Sequence, residues 1–381
     1  MAPPAKRKRK DPDQPSSGRK SARLADRPKE STESAPVQPR GLSRLATTSE
    51  PPDTQATLAE RARARIAAYQ PLEKDKEELL KPSLNALIDW LPEKGWESIA
   101  RDILEAKSDE ALYAVFHNVL TALAAPMKAR SRPPTVTPSP LLKREQNVEA
   151  VAATLDTPQT RQRSFRDKCF ERDRYRCVVT GNTDTSHWNE LGRPNDMRHG
   201  QLEAAHIIPF AYASWDKSSG PPEHIARAWE ALYRCFPRIR QIGMEYDDIN
   251  ALSNGISLRY DIHPQFGEFA IAFKPTDTEN VYELKVFPSY PTDLRPTLPE
   301  GLVKFTRAED AQDLELPSAA LLDCHYRLAE ILNASGMGEA VEQYQKEWER
   351  LKESADGSLR HDGGTDLGRI IRTALWTHVA G

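Results

Sequence analysis

Gln201–Phe210 reads QLEAAHIIPF and Asp248–His263 reads DINALSNGISLRYDIH, and the fold turns on reading the two together. Gln201–Ile208 is a short apolar strand bearing His206, and Pro209 ends it. NGISL, Asn254–Leu258, has the character of a second strand. His263 stands nine positions after Asn254, enough for a strand or turn to hand over to the first turn of a helix. Tyr175–Gly181, YRCVVTG, lies ahead of both as a short strand closed by a glycine turn. Working outward, Glu268–Phe273 (EFAIAF) and Val281–Phe287 (VYELKVF) read as a hairpin joined by the turn-rich Lys274–Asn280.

A length of 381 residues suggests two or three structural units. The chain is 38% hydrophobic and 29% charged and holds 30 prolines, which implies long disordered stretches beside a compact part. A net charge of -3 gives no global attraction to nucleic acid, so any such attraction is local. Cys169, Cys177, Cys235 and Cys324 include no C-x-x-C pair, which argues against a zinc ribbon or disulfide framework and suits a reducing compartment. No run reaches the ~18 apolar residues a membrane span needs, and the N-terminus lacks a signal-peptide core. The expectation is a soluble intracellular protein. Lys6–Lys10, KRKRK, followed by Arg19, Lys20 and Arg23, reads as a nuclear localisation signal or a phosphate-binding arm, and nuclear localisation is expected.

The chain divides by pattern into five stretches. Residues 1–60 form a basic, proline-rich disordered tail. Residues 61–125 are helical, with Leu84, Leu87, Ile88 and Leu91, then Trp96, Ile99 and Ile103, then Leu112, Val115, Phe116 and Val119 at helical spacing. They form either a small bundle or a cover for the domain that follows. Residues 126–156 read as a linker and 157–290 as the central domain, with helical segments near Thr157–Arg174 and Pro221–Cys235 and a loop over Asn182–Gly200. Residues 291–381 form a C-terminal helical region with helices over Pro317–Leu332 and Met337–Lys352. The stripe Val341, Tyr344, Trp348 and Leu351 offers a face for self-association, and the late apolar segment Ile370–Trp376 offers one for docking.

Hydrolysing a phosphodiester takes a base to activate water, a divalent cation to neutralise developing charge, and ligands to hold that cation. A histidine on a strand, facing a metal bound from a following helix, meets these needs with few residues. RCVVTG, LEAAHIIPF, NGISL and the following histidine resemble the HNH endonuclease domain, in the form common in fungal proteins, over roughly Phe165–Phe273. The resemblance implies an α+β fold with a ββα-metal (His-Me finger) core, flanked by helices and preceded by the disordered tail. It implies His206 as general base, Asn254 as the asparagine that orients the base or supports the metal, and His263 as a metal ligand. It places Cys177 in the packing of the lead-in.

Two positions depart from the pattern: Ala205 where an Asp or His ligand often precedes the base, and Gly267 where a ligand often sits one helical turn after the last histidine. Glu203, Asp261 and Glu268 are candidates to compensate, Glu203 first, and the implied cofactor is Mg²⁺ or Mn²⁺, which tolerates few protein ligands. Arg166, Arg172 and Arg174, on an arginine-rich stretch, are candidates to hold nucleic-acid phosphates. The expected partner is nucleic acid, DNA ahead of RNA. A metal-dependent endonuclease is the leading reading. A catalytically degenerate module that binds nucleic acid or protein, and a scaffold acting through its terminal helices, stand beside it.

Overall fold

The structure, a computed structural model, describes residues 52–129, 136–215 and 222–355, all within one compact unit, Thr48–Gly381. The KRKRK cluster and Ile370–Trp376 lie outside the described residues. The class is α+β. The chain opens with helices α1 (Pro52–Ala67), α2 (Leu80–Trp90), α3 (Glu93–Glu105) and α4 (Asp109–Val119). Ser108 caps α4, its hydroxyl accepting from the Ala111 N–H at 3.1 Å. A π-helical turn, Leu120–Ala124, carries α4 into α5 (Ala125–Lys128).

Helices α6 (Leu142–Ala152) and α7 (Arg163–Arg172) follow, then strand β1 (Thr183–Asp184), helix α8 (Thr185–Glu190) and strands β2 (His199–Gly200) and β3 (Leu202–His206). After α9 (Glu223–Cys235) and α10 (Pro237–Gln241) the chain makes β4 (Gly255–Arg259) and the short helix α11 (Ile262–Gly267). It then makes β5 (Ile271–Pro275), β6 (Val281–Val286), β7 (Leu302–Lys304), and finally α12 (Ala319–Ser335) and α13 (Met337–Ala355). Strands β3 and β4 pair antiparallel, with His206 opposite Gly255 and Glu203 opposite Leu258. The expected hairpin forms as β5–β6, and β7 extends it to an antiparallel three-stranded sheet.

One apolar core runs through the whole described unit, from Leu58 of α1 through Ile256 of β4 to Leu328 of α12. The N-terminal helices are therefore a cover on the central domain rather than a separate bundle: α2 packs on α12, and α3 on α9. A buried ion cluster ties these layers together. Asp102 of α3 accepts from Arg144 of α6 at 2.6 Å and from Arg234 of α9 at 2.5 Å, and Arg234 also donates to the Asn118 side chain at 2.8 Å. So α6, inside the stretch read as a linker, is part of the packing: its Arg144 and the Arg234 of α9 together balance two buried acids, Asp102 and Glu230. Pro221–Cys235 forms α9 as expected, packed into the core, with the Trp229 Nε1–H donating to the Tyr212 carbonyl at 2.9 Å.

Two local expectations change. Tyr175–Gly181 is a series of turns rather than a strand, because Arg174 and Tyr175 take left-handed φ of 59° and 55°, which breaks extension. Asn182–Gly200 is not all loop. Asp184 caps α8 by accepting from the Ser186 N–H at 2.9 Å, and its other oxygen accepts from the Leu202 N–H at 3.3 Å, fixing the start of β3. On α13, Val341 and Tyr344 are buried within the chain itself. That half of the proposed self-association stripe is already covered.

Candidate active site

Strand β3 ends at His206, and three elements meet around its ring. Helix α7 buries Phe165 and Cys169, four positions apart and so on one face, against β3 and β4. Phe165 stacks on the His206 imidazole with centroids 4.2 Å apart and planes 12° apart, and Phe210 lies at 5.8 Å. Gly255 makes the approach possible: a Cβ there would stand 2.6 Å from both the Cys169 Sγ and a Phe165 ring carbon. The third element is the 3₁₀ segment Tyr246–Asn250, whose Asn250 Oδ1 lies 3.2 Å from His206 Nε2. Burial pushes His206 down to about 4, reinforced by the positive Arg161 and by His263 and opposed by the bond to Asn250. The imidazole is neutral at pH 7, the form a proton acceptor needs.

Asn254 is fully buried. Its Oδ1 accepts from the Ile208 N–H at 2.8 Å, and its Nδ2 donates to the Ile208 carbonyl at 3.0 Å and the Ile249 carbonyl at 2.9 Å. All three bonds go to backbone and none to His206. Asn254 therefore clips the chain leaving β3 to the chain entering β4, and positions His206 through the backbone two residues away.

Helix α11 buries Ile262 and Phe266, which leaves His263 on the partly exposed side. There the His263 Nδ1 meets the Glu203 Oε2 of β3 at 2.6 Å. Behind the helix, His325 of α12 lies between the Phe266 and Phe269 rings at 3.8 and 4.4 Å and donates from Nε2 to the Phe266 carbonyl at 3.0 Å. Strand β3 and helix α11 thus bring together Glu203 and His263, 60 positions apart in sequence, and His263 lies close enough to bear electrostatically on His206. Residues 177–274 match the family model of HNH endonucleases.

This segment is similar to HNH endonuclease domains. No curated protein and no solved structure matches the chain. The match begins at Cys177, a buried residue of the lead-in turns, and ends at Lys274 on β5, so it contains β3, β4 and α11 and excludes α7.

Within the matched segment the donors for a cation are few. Asp261 is held by Arg259 at 2.5 and 2.8 Å, and Glu268 by the buried Lys128 at 3.0 Å. Ala205 is fully buried, and among the described residues no group of three or more His, Cys, Asp and Glu side chains converges. Glu203 and His263 remain, a carboxylate and an imidazole. They are hydrogen-bonded to each other, so they would hold Mg²⁺ or Mn²⁺ only with that bond opened, the ion completing its shell with water and phosphate oxygens.

The arginines just ahead of the matched segment divide. Arg172, expected to contact phosphate, is 0% exposed. It pairs bidentately with Asp173 at 2.8 Å and donates to the carbonyls of Leu252, Gly255 and Glu315, so it knits α7 to β4 instead. Arg174 is exposed and donates to the Arg307 carbonyl at 3.0 Å. Arg166 is exposed beside Asp167, on the rim of a groove of about 530 Å³ that Tyr175, His187 and Leu202 also line. Asn250 is the site residue that sequence reasoning missed. Its only signal is its place in DINALSN, four residues before Asn254.

Proposed function

We propose that this HNH domain is a metal-dependent endonuclease that hydrolyses nucleic-acid phosphodiester bonds, and that β3, β4 and α11 form its ββα-metal core. The observation that carries this reading is that the family-matched segment holds both a neutral His206 at the end of β3 and a Glu203–His263 contact of 2.6 Å between the same strand and α11. His206 takes the proton from the attacking water. Asn254 acts as a positioning residue that holds the end of β3 in register. Glu203 and His263 hold the divalent ion, which supplies charge neutralisation at the phosphate when bound. Among the candidate phosphate contacts, Arg166 and Arg174 are exposed. DNA is the proposed substrate ahead of RNA, and KRKRK is the basis for a proposed nuclear address.

Cleavage of supercoiled DNA and of single-stranded RNA by the full chain, with Mg²⁺, Mn²⁺ or chelator, tests this. Metal-dependent scission of either polymer supports it. Scission in chelator, or none of either polymer by folded protein, counts against it. A second reading, a degenerate HNH module that binds nucleic acid or protein without cutting, is favoured by Ala205 and Gly267, which remove two customary ligands. It predicts salt-sensitive binding and no cleavage.

A further inference from the structure

The Asn250 side chain is held at both ends, and its two ends differ chemically. Its Nδ2 lies 3.1 Å from the Thr160 carbonyl and its Oδ1 lies 3.2 Å from His206 Nε2. The amide nitrogen can only donate and the Thr160 carbonyl can only accept, so the NH₂ end belongs against Thr160. The amide oxygen that then faces His206 can only accept. A neutral imidazole carries one N–H, and only an N–H at Nε2 completes this contact. Turning the His206 ring over would replace Nε2 by a carbon and lose the bond, and Phe165 stacked at 4.2 Å resists the turn. Among the described residues Nδ1 takes no hydrogen-bond partner, so its lone pair is left for a proton.

We propose that Asn250, itself oriented by the Thr160 carbonyl, fixes His206 in the Nε2–H tautomer and so makes Nδ1 the atom that accepts the proton from water. Asn250 is thus a positioning residue outside the His–Asn–His pattern, and the proposal rests on reading His206 as the base. The segment just before α7 therefore takes part in the site, although it lies outside the family-matched residues. The groups that bear on the His206 charge are Arg161, from that same segment, and His263 of α11.

Long-range ¹H–¹⁵N spectra of the full chain, labelled in the histidine rings and assigned with His206→Ala, report the tautomer directly. The expected result is protonated Nε2 and unprotonated Nδ1 at pH 7. Asn250→Leu should give a mixture of tautomers and lose about 100-fold or more in cleavage rate. Asn250→Asp, which still presents an accepting oxygen, should restore the Nε2–H form and most of the rate. A His206 protonated at Nδ1 in the unaltered protein, or unchanged as Nε2–H in Asn250→Leu, overturns the proposal. An Asn250→Leu chain that does not fold leaves the unaltered protein and Asn250→Asp to decide: Nε2–H in both supports it, and Nδ1–H in either sinks it. Nε2–H in a protein that cuts nothing removes the nuclease reading and with it the role of Nδ1 as base, while the tautomer assignment to Asn250 stands.

Discussion

Phe165 lies flat on the imidazole of His206, centroids 4.2 Å apart, because Gly255 opposite His206 has no side chain to hold α7 away. Gly255→Ala forces a methyl within 2.7 Å of two Phe165 ring carbons and within 2.6 Å of the Cys169 Sγ. Such overpacking costs about 1–3 kcal/mol. The variant should unfold at lower urea than the unaltered protein, and the ring-current shift that Phe165 gives the His206 ring protons should shrink.

The lowered proton affinity of His206 has a kinetic signature. An ordinary histidine titrates near ~6.5, whereas burial pushes His206 to about 4. The acid limb of kcat/KM, which reports the free enzyme, should bend well below pH 6, toward 4. An inflection at 6.5 would mean that His206 is solvated in solution.

Stability should follow the same direction. His206 at about 4 and His325 at about 3 both bind protons less well folded than unfolded. The unfolded chain takes up protons below roughly 6.5 that the folded chain refuses, so stability is full above that pH and declines as pH falls toward 3. Urea midpoints measured at pH 7, 5.5 and 4.5 should fall in that order, and His325→Gln should flatten the fall.

Gly267 shares a helix face with His263, four positions earlier, and a Cβ built on it meets nothing within 4 Å. A third ligand fits there without repacking. Gly267→Asp should tighten Mn²⁺ binding about tenfold or more, read by electron paramagnetic resonance. Unchanged binding would show that the ion, if held, lies away from the exposed side of α11.

Arg172 anchors α7 to β4 through Asp173 and three carbonyls. Arg172→Ala strands the buried Asp173 carboxylate, whose Oδ2 keeps only the Ser257 N–H at 3.1 Å among the described residues. The cost should be about 3–5 kcal/mol, measured by urea denaturation. An effect on DNA affinity alone, with stability intact, would return Arg172 to the surface role expected from sequence.

The strand pair β3–β4 and the β5–β6 hairpin were legible because apolar alternation and turn residues report a local property, and the order His206, Asn254, His263 pointed to their meeting. The Glu203–His263 contact was partly legible from the expectation that Glu203 reaches toward the metal. Asn250 was not, since its partners Thr160 and His206 lie 90 and 44 positions away and pair through single polar contacts that leave no periodicity. Arg172 was misread because an arginine paired with remote backbone carbonyls has the same local sequence signature as one in water. The turns at Arg174 and Tyr175 escaped too, as neither residue type announces a left-handed backbone.

The central claim is that His206 is the base of a metal-dependent nuclease. It is tested most directly by initial nicking rates on supercoiled plasmid across a Mg²⁺ titration, for the unaltered protein, His206→Ala and Glu203→Ala. The account predicts metal-dependent nicking, a loss of about 100-fold or more in His206→Ala at saturating metal, and a higher metal requirement in Glu203→Ala. Nicking by His206→Ala at the unaltered rate, or nicking that persists in chelator, would contradict it.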